Sequence, residues 1–308
     1  MISSLDPSSQ SFINDVSRLQ ARVAAANRQL TSGLRVSDPA DAPDQISPLL
    51  ELRSIREHNQ QVLTGLGLAK SDADSADSAL ATAIQLMDRA RTLATQGASS
   101  TQTSDSRQVL AQEVQSIQEQ MVNLSRTTVR GRFIFSGDQS GNPLYSFDAT
   151  ATNGVVQLST VQATAKVEDP AGGAFNAAKT ASDIFDTRDA TDNTQPAPDN
   201  VFAALNNLRL GLLANDTDAT GAAGDSLQLA STHLNSMEAF YGGVQSRIQD
   251  ATNYANQHDV ELQSRISSIQ DADATSAALE LTQANNQLQA AFEARANFRQ
   301  NSLFDYLS

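Results

Sequence analysis

The side chains able to do chemistry are few, and their spacing does not bring them together. The three histidines, His58, His233 and His258, lie far apart and beside Asn, Leu or Asp, not at the interval of a metal-ligand pair. His58 and His233 read as solvated helix residues. His258 falls on an apolar seam and reads as an interhelical polar group whose protonation could tune packing. Two aspartate-rich stretches, DTRDATDN from Asp186 and NDTDATGAAGD from Asn215, offer oxygen ligands to calcium. Neither has the EF-hand order, with a glycine at the sixth place and a closing glutamate. GRFIFSG, Gly131 to Gly137, begins and ends in glycine but lacks the inner glycines and the lysine of a phosphate loop. No nucleophile stands beside a base. The expectation is a protein that is not an enzyme and has no catalytic residue, metal or cofactor.

What the chain does carry is long helical periodicity. Phe12, Val16, Leu19, Val23, Ala26 and Leu30 follow at steps of four and three. The step recurs from Leu52 and Ile55 through Val62, Leu66, Ala69, Ala73, Ala76, Leu80, Ala83, Met87 and Ala90 to Ala94, with Asn59 interrupting it. It returns in Leu110, Val114, Ile117, Met121, Leu124 and Thr128, and again from Leu227 through Leu234, Tyr241, Val244, Ile248 and Ala255 to Leu262. An apolar residue every 3.5 positions is a seam made to lie along another helix. Helices are therefore expected over 10–32, 48–96, 104–130 and 225–300, with Val62, Leu66, Leu80, Met87, Val114, Ile117, Val244 and Ile248 turned inward. Gly33 is placed to close the first helix through a left-handed residue. Pro39, Pro43 and Pro48 keep 33–48 irregular, with Val36 and Ile46 tucking it down. Pro48 then suits the first turn of the next helix. Gly65 and Gly67 could mark a bend or a close approach, and Gly221 and Gly224 an interruption before the last long helix.

Between Gly131 and Asn200 the period changes. Short β-prone runs, RFIF, VVQLS and VQATAKV, alternate with turn signals such as SGDQSGN and DATATNG, and Asp, Thr, Ala, Pro and Gly dominate the remainder. The fold class expected is mainly α: a long antiparallel helical bundle, or coiled-coil rods, formed by both chain ends, with a small β-rich central domain. The division is 1–32 and 290–308 as terminal helices forming an inner assembly region, 33–131 and 200–289 as the long-helix core, and 132–199 as the solvent-facing central domain.

Composition agrees with thin helical packing. Of 308 residues 40% are apolar, yet only 11 are Phe and 4 Tyr, and Trp is absent. With 35 acidic against 21 basic residues the net charge is −14, and no basic cluster could track a phosphate backbone, so nucleic acid is not an expected partner. Like subunits repel one another, an effect that salt screens. Cysteine is absent, which removes disulfides and thiolate metal sites. Met1–Gln10 lacks the charged and apolar regions of a signal peptide, and no apolar run reaches the ~18 residues of a membrane span.

Three stretches carry a family likeness. QLTSGLRVSDPADAP (Gln29 to Pro43), GRFIFSG (Gly131 to Gly137) and EARANFRQNSLFDYL (Glu293 to Leu307) resemble, in order, motifs of the bacterial flagellin superfamily, most closely its hook–filament junction members. The opening MISSLDPSSQSF departs from the superfamily's usual Arg-Val/Ile-Ser-Thr start. The resemblance implies a structural subunit of the bacterial flagellum that joins hook to filament by self-assembly. It implies export through the flagellar type III route without a cleaved signal peptide, and an extracellular place. Implied partners are other copies of the chain in head-to-tail contacts, a neighbouring hook-associated protein, flagellin and an export chaperone, with no membrane insertion. The alternatives are a flagellin-type filament subunit, or an adhesin or binding module acting through 132–199. The assembly residues expected on the terminal helices are Phe12, Val16, Leu19, Val23, Phe292, Phe298, Leu303, Phe304, Tyr306 and Leu307. On this reading a Gly/Ser linker could replace 140–195 and leave filaments attached.

Overall fold

The structure, a computed structural model, describes residues 7–161 and 166–298. Seven helices and six short strands are found among them, and the class is mainly α. The chain divides into two compact units, Asn59–Gln257 and the pair of segments Met1–His58 and His258–Ser308.

Within Asn59–Gln257, helix α2 (Pro43–Gly97) and helix α6 (Thr217–Gln270) run antiparallel. The buried Asn59 amide donates to the Ala255 carbonyl at 2.8 Å, Gln245 donates to Asp74 at 3.0 Å, and Gly224 stands against Ala94. Asn59, which breaks the apolar series, thus ties the two helices and satisfies itself. All eight residues expected inward, from Val62 to Ile248, are buried in one continuous core. Truncating Leu66, Leu80 or Met87 to Ala is in the range of about 2–5 kcal/mol for buried large-to-small changes. Helix α3 (Ser104–Ser125) packs on α5 (Val201–Leu213), each opened by a side-chain cap, Thr103 on Ser106 N–H and Asn200 on Ala203 N–H.

Several boundaries differ from the expected ones. Helix α2 begins at Pro43 and carries Pro48 inside it: it is Pro43 that takes the first-turn role, where its missing N–H costs nothing. Gly65 and Gly67 lie within unbroken helix with open space where a Cβ would be, so neither marks a close approach. Helix α6 begins at Thr217 and runs through Gly221 and Gly224. The expected 225–300 helix breaks after Gln270, and α7 restarts at Ala274. Helix α3 stops at Ser125, short of Gly131, because the chain turns into a tight hairpin. In it Thr128–Val129 (β1) pairs with Arg132–Phe133 (β2) across Arg130 (φ 52°) and Gly131 (φ 74°). Two successive left-handed residues are what a twist-matched two-residue hairpin requires. Asp72 of α2 holds the Arg130 guanidinium at 2.6 Å and that of Arg132 at 3.5 Å.

The remaining strands form two more antiparallel ladders, Tyr145–Phe147 (β3) with Val155–Gln157 (β4) and Lys166–Glu168 (β5) with Ala174–Asn176 (β6), before the short helix α4 (Ala181–Phe185). This central segment shares the core of the long helices. Phe135, Leu144, Tyr145, Val155, Phe175, Ile184 and Phe185 are buried in the same cluster as Leu66 and Met87. Phe135 meets Phe185 edge-on at 6.0 Å, and Phe185 stacks on Phe202 at 5.8 Å. GRFIFSG is thereby accounted for: its first glycine closes a hairpin and its second phenylalanine enters the core. Replacing 140–195 by a linker would remove Leu144, Tyr145, Val155, Phe175, Ile184 and Phe185 from this cluster.

Asp186, considered above as a calcium ligand, is instead a buried structural carboxylate. It accepts from Tyr145 Oη at 2.9 Å, Asn153 Nδ2 at 2.9 Å and Asn200 Nδ2 at 2.8 Å, and pairs with Arg188 at 2.5 Å. Burial first, then the Asp186 charge, pushes the Tyr145 phenol well above its ordinary value, so it remains a donor. His233 is likewise not free in solvent: its ring lies 2.9 Å from the Asp183 carbonyl and 3.4 Å from Asp199. Asp186→Ala takes away the shared buried acceptor of the Tyr145, Asn153 and Asn200 side chains and the carboxylate paired with Arg188, while Asn200 keeps its bond to Thr187 O. It should lower the stability of this unit by about 3 kcal/mol or more, read as a fall in the urea midpoint followed by circular dichroism.

Candidate assembly site in the terminal helices

The second unit is built from α1 (Pro7–Ser32), the start of α2, the end of α6 and α7 (Ala274–Phe298). Within it the linker that follows α1 and the break that precedes α7 lie side by side. Gly33 (φ 72°) ends α1, its N–H returning to Gln29 O at 2.9 Å. Leu34 then forms an antiparallel bridge with Asp271. Ala272 N–H donates to Gly33 O at 2.8 Å, and the Arg35 and Val36 N–H groups donate to Gln270 O at 2.7 and 3.2 Å. The Arg35 guanidinium adds bonds to the Ile269 carbonyl at 2.5 Å and to Gln45 at 2.8 Å. Two helix ends thus satisfy each other's orphan backbone groups.

Both sides of this joint have their own caps. Asp41 accepts from Ser37 N–H and Oγ, each at 3.0 Å, and from Asp38 N–H at 2.8 Å. Asp273 opens α7 by accepting from Thr275 N–H at 2.9 Å and Ser276 Oγ at 2.8 Å. Underneath, Val36, Ala42, Leu49 and Ile266 form a small buried cluster with Ile46, Leu52 and Ile269 against it. Val36 and Ile46 tuck the linker as expected, although the irregular part ends at Ala42. The stretch SGLRVSDPADAP is the sequence of this joint. Its pairing with Gln270–Ala272 was not visible in the sequence, because the two segments are over 230 residues apart and neither carries a pattern that names the other.

Helices α1 and α7 pack along each other in antiparallel register. Phe12 meets Phe292 edge-on at 6.2 Å, with the Arg295 guanidinium 5.6 Å from the Phe12 ring and donating to Ser9 at 2.6 Å. One stretch further along, Arg22 donates to Glu280 at 2.7 Å and to Gln287 at 2.9 Å. Among the described residues of the seam the fully buried ones are small, Ala26, Ala277 and Ala284. Phe12, Val16, Leu19 and Val23 are half-buried, whereas Phe292 is 48% and Leu279 60% exposed, with Ile13 and Leu30 also open. Five expected assembly residues, Phe12, Val16, Leu19, Val23 and Phe292, therefore share one helix pair. The Phe298 side chain, Leu303, Phe304, Tyr306 and Leu307 lie outside the described residues. The polar partners Ser9, Arg22, Glu280, Gln287 and Arg295 were missed, since apolar periodicity says nothing of polar pairs across a helix interface.

Among the described residues no three His, Cys, Asp or Glu side chains converge as a metal site, and no described helix is long and apolar enough to cross a membrane. A helix pair formed by the two chain ends, and a unit made of long helices and short hairpins, define a mainly helical protein. Residues 5–140 match the bacterial flagellin N-terminal helical region and residues 225–307 the bacterial flagellin C-terminal helical region. The chain belongs to the bacterial flagellin family. It is 26% identical over 129 residues, 42% of this chain and 41% of the relative, to the flagellar hook-associated protein 3 of Escherichia coli K12. It is 29% identical over 119 residues, 38% of this chain and 23% of the relative, to flagellin B of Helicobacter pylori 26695. The matched stretch thus spans about two fifths or less of these curated relatives. The fold is shared with the flagellar junction protein FlgL from Legionella pneumophila, at a TM-score of 0.53 and 12% identity over 65% of this chain and 99% of that one.

Three carboxyls of the terminal unit are held in their charged form. Hydrogen bonds from the Asp38 and Ser37 backbone hold the Asp41 carboxyl below its usual value. Ser276 does the same for Asp273, and Arg22 for Glu280. A carboxyl with a depressed folded value contributes stability that is full above its unfolded value and is lost as pH falls through the folded one. The joint and the α1–α7 pair should accordingly loosen below about pH 4. The check is an NMR pH titration following Gly33, Leu34 and Ala272 amides: their native shifts should fade at acid pH before those of Leu80 or Met121.

Proposed function

We propose that this chain is a structural subunit of the bacterial flagellum that joins hook to filament, with its terminal helices as the assembly elements. The observation that supports this reading most directly is the α1–α7 pair: a seam of Phe12, Val16, Leu19 and Val23 is only half-buried, and Phe292, Leu279 and Ile13 stay exposed. Helices draw most of their stability from packing an apolar face, and an apolar surface left open in this way calls for further partners. Neighbouring copies in head-to-tail contact would bury it, since only a heterologous contact continues around a tube. A hook-associated protein on one side and flagellin on the other would extend the same contacts. Before assembly an export chaperone would cover these ends, and the finished subunit would reside outside the cell.

A filament subunit is the second reading, raised by the likeness to flagellin B. The shares of length favour the junction: the match takes up nearly equal fractions of this chain and of the hook-associated relative, 42% and 41%, but only 23% of flagellin B against 38% here. Immunogold labelling distinguishes the two, at the base of the filament for a junction and along its length for a filament subunit. An adhesin acting through 132–199 is disfavoured because that segment's large apolar groups are built into the long-helix core.

Truncations test the central role of the ends. Removing 1–30 or 290–308 should leave Asn59–Gln257 folded, with its thermal midpoint within about 2 °C of the full chain, since no core residue of that unit is lost. The same truncations should abolish filament attachment in a strain lacking the native gene. Swimming retained by either one sinks the proposal.

A further inference from the structure

Asn153–Gly154 is the single Asn–Gly dipeptide in the chain, and the fold closes it on every side. Gly154 sits at φ +73°, and a Cβ there would lie 2.0 Å from Gln118 Nε2 and 3.0 Å from Asn206 Oδ1. Its N–H is engaged with Ala151 O at 2.9 Å. The Asn153 side chain is 8% exposed as part of a buried residue and donates to Asp186 Oδ1 at 2.9 Å, while its backbone carbonyl accepts from Gln118 Nε2 at 3.2 Å. An Asn followed by Gly in an unconstrained chain is open to attack on its own side chain, because glycine has no Cβ to hinder approach of the backbone nitrogen and is free to turn.

We propose that Asn153 is a deamidation site shut by folding, reactive only while Asn59–Gln257 is unfolded, and that the reaction disfavours return to the native state. In the unfolded chain the Gly154 nitrogen loses its proton and attacks Asn153 Cγ. A C–N bond forms, the Cγ–Nδ2 bond breaks, and the side-chain nitrogen takes up a proton and leaves as ammonia. Water then opens the resulting five-membered imide, at one carbonyl or the other, to give aspartate or isoaspartate. In the native state neither half of the first step is available: the nitrogen's proton is bound to Ala151 and the amide is clamped by Asp186. The products do not fit the site. Aspartate puts a second carboxylate where a donor stood 2.9 Å from Asp186, a like-charge contact in a buried place. Isoaspartate lengthens the backbone by one carbon where Gln118 and Asn206 leave no room for even a methyl group.

The full-length chain is held at pH 8 and 37 °C for several days, native in one sample and in guanidinium chloride in the other, and the tryptic peptide 133–166 is weighed. That peptide also contains Asn142, which precedes Pro143 and, with no N–H following it, serves as an internal control. The expected result is a gain of one dalton at Asn153 in the denatured sample, at least about tenfold faster than in the native one. After dilution from denaturant, the soluble refolded fraction should be depleted in modified chain by at least about tenfold. An Asn153→Asp chain made directly should show a lowered urea midpoint. Equal rates in native and denatured samples, or modified chain refolding as completely as unmodified, overturns the proposal, as does an Asn153→Asp midpoint equal to the wild type's.

Discussion

A pair of antiparallel helices can bury only one face of each on the other, and the organisation of the chain ends follows from that limit. Along α1 and α7 the complete burial falls to Ala26, Ala277 and Ala284, while the large groups Phe12, Val16, Leu19 and Val23 are covered only in part. Exposed ion pairs such as Arg22–Glu280 fix the register but contribute little net stability. The pair thus leaves large apolar groups open on both helices, Ile13 and Leu30 on one and Leu279 and Phe292 on the other. In the proposed junction, the surface left over is what neighbouring subunits would cover.

Asn59–Gln257 solves the opposite problem. Its long helices carry the same alanine-rich seams, yet they gain bulk from the central segment, whose Phe135, Tyr145, Phe175 and Phe185 fill the space that alanines leave. A buried carboxylate belongs in such a core only if it is fully matched, and Asp186 is matched by Tyr145, Asn153, Asn200 and Arg188. The 145–157 hairpin, residues 186–188 and Asn200 are brought to one point by that group. The two units are therefore built from the same kind of helix, and what separates them is whether a further layer supplies large buried apolar groups.

Helix existence and inward faces could be read from the sequence because a 3.5-residue apolar repeat over many turns has one structural meaning. Helix ends were harder. Pro48 suited a first turn, yet the helix starts at Pro43 and carries Pro48 inside it. The break at Asp271–Asp273 escaped notice because apolar residues continue on both sides of it, from Ile269 to Ala277. Its cause is non-local, the backbone exchange with Gly33–Val36. Asp186 was misread for a related reason: an aspartate-rich string looks solvated until distant amides and a tyrosine close around one member. Of the assembly residues, Phe12 to Val23 were found from periodicity. Their polar companions Arg22, Glu280 and Arg295 were not, since pairing across helices leaves no local trace.

Amide hydrogen exchange, compared between the dilute monomer and the assembled flagellum, tests the role of the terminal pair most directly. The expected result is fast exchange along Phe12–Leu30 and Ala277–Phe292 in the monomer, at a time when Leu80, Met121 and Ile248 are protected, and strong protection of all of them after assembly. Terminal helices protected in the dilute monomer as fully as Leu80, or left unprotected in the assembled flagellum, would contradict it.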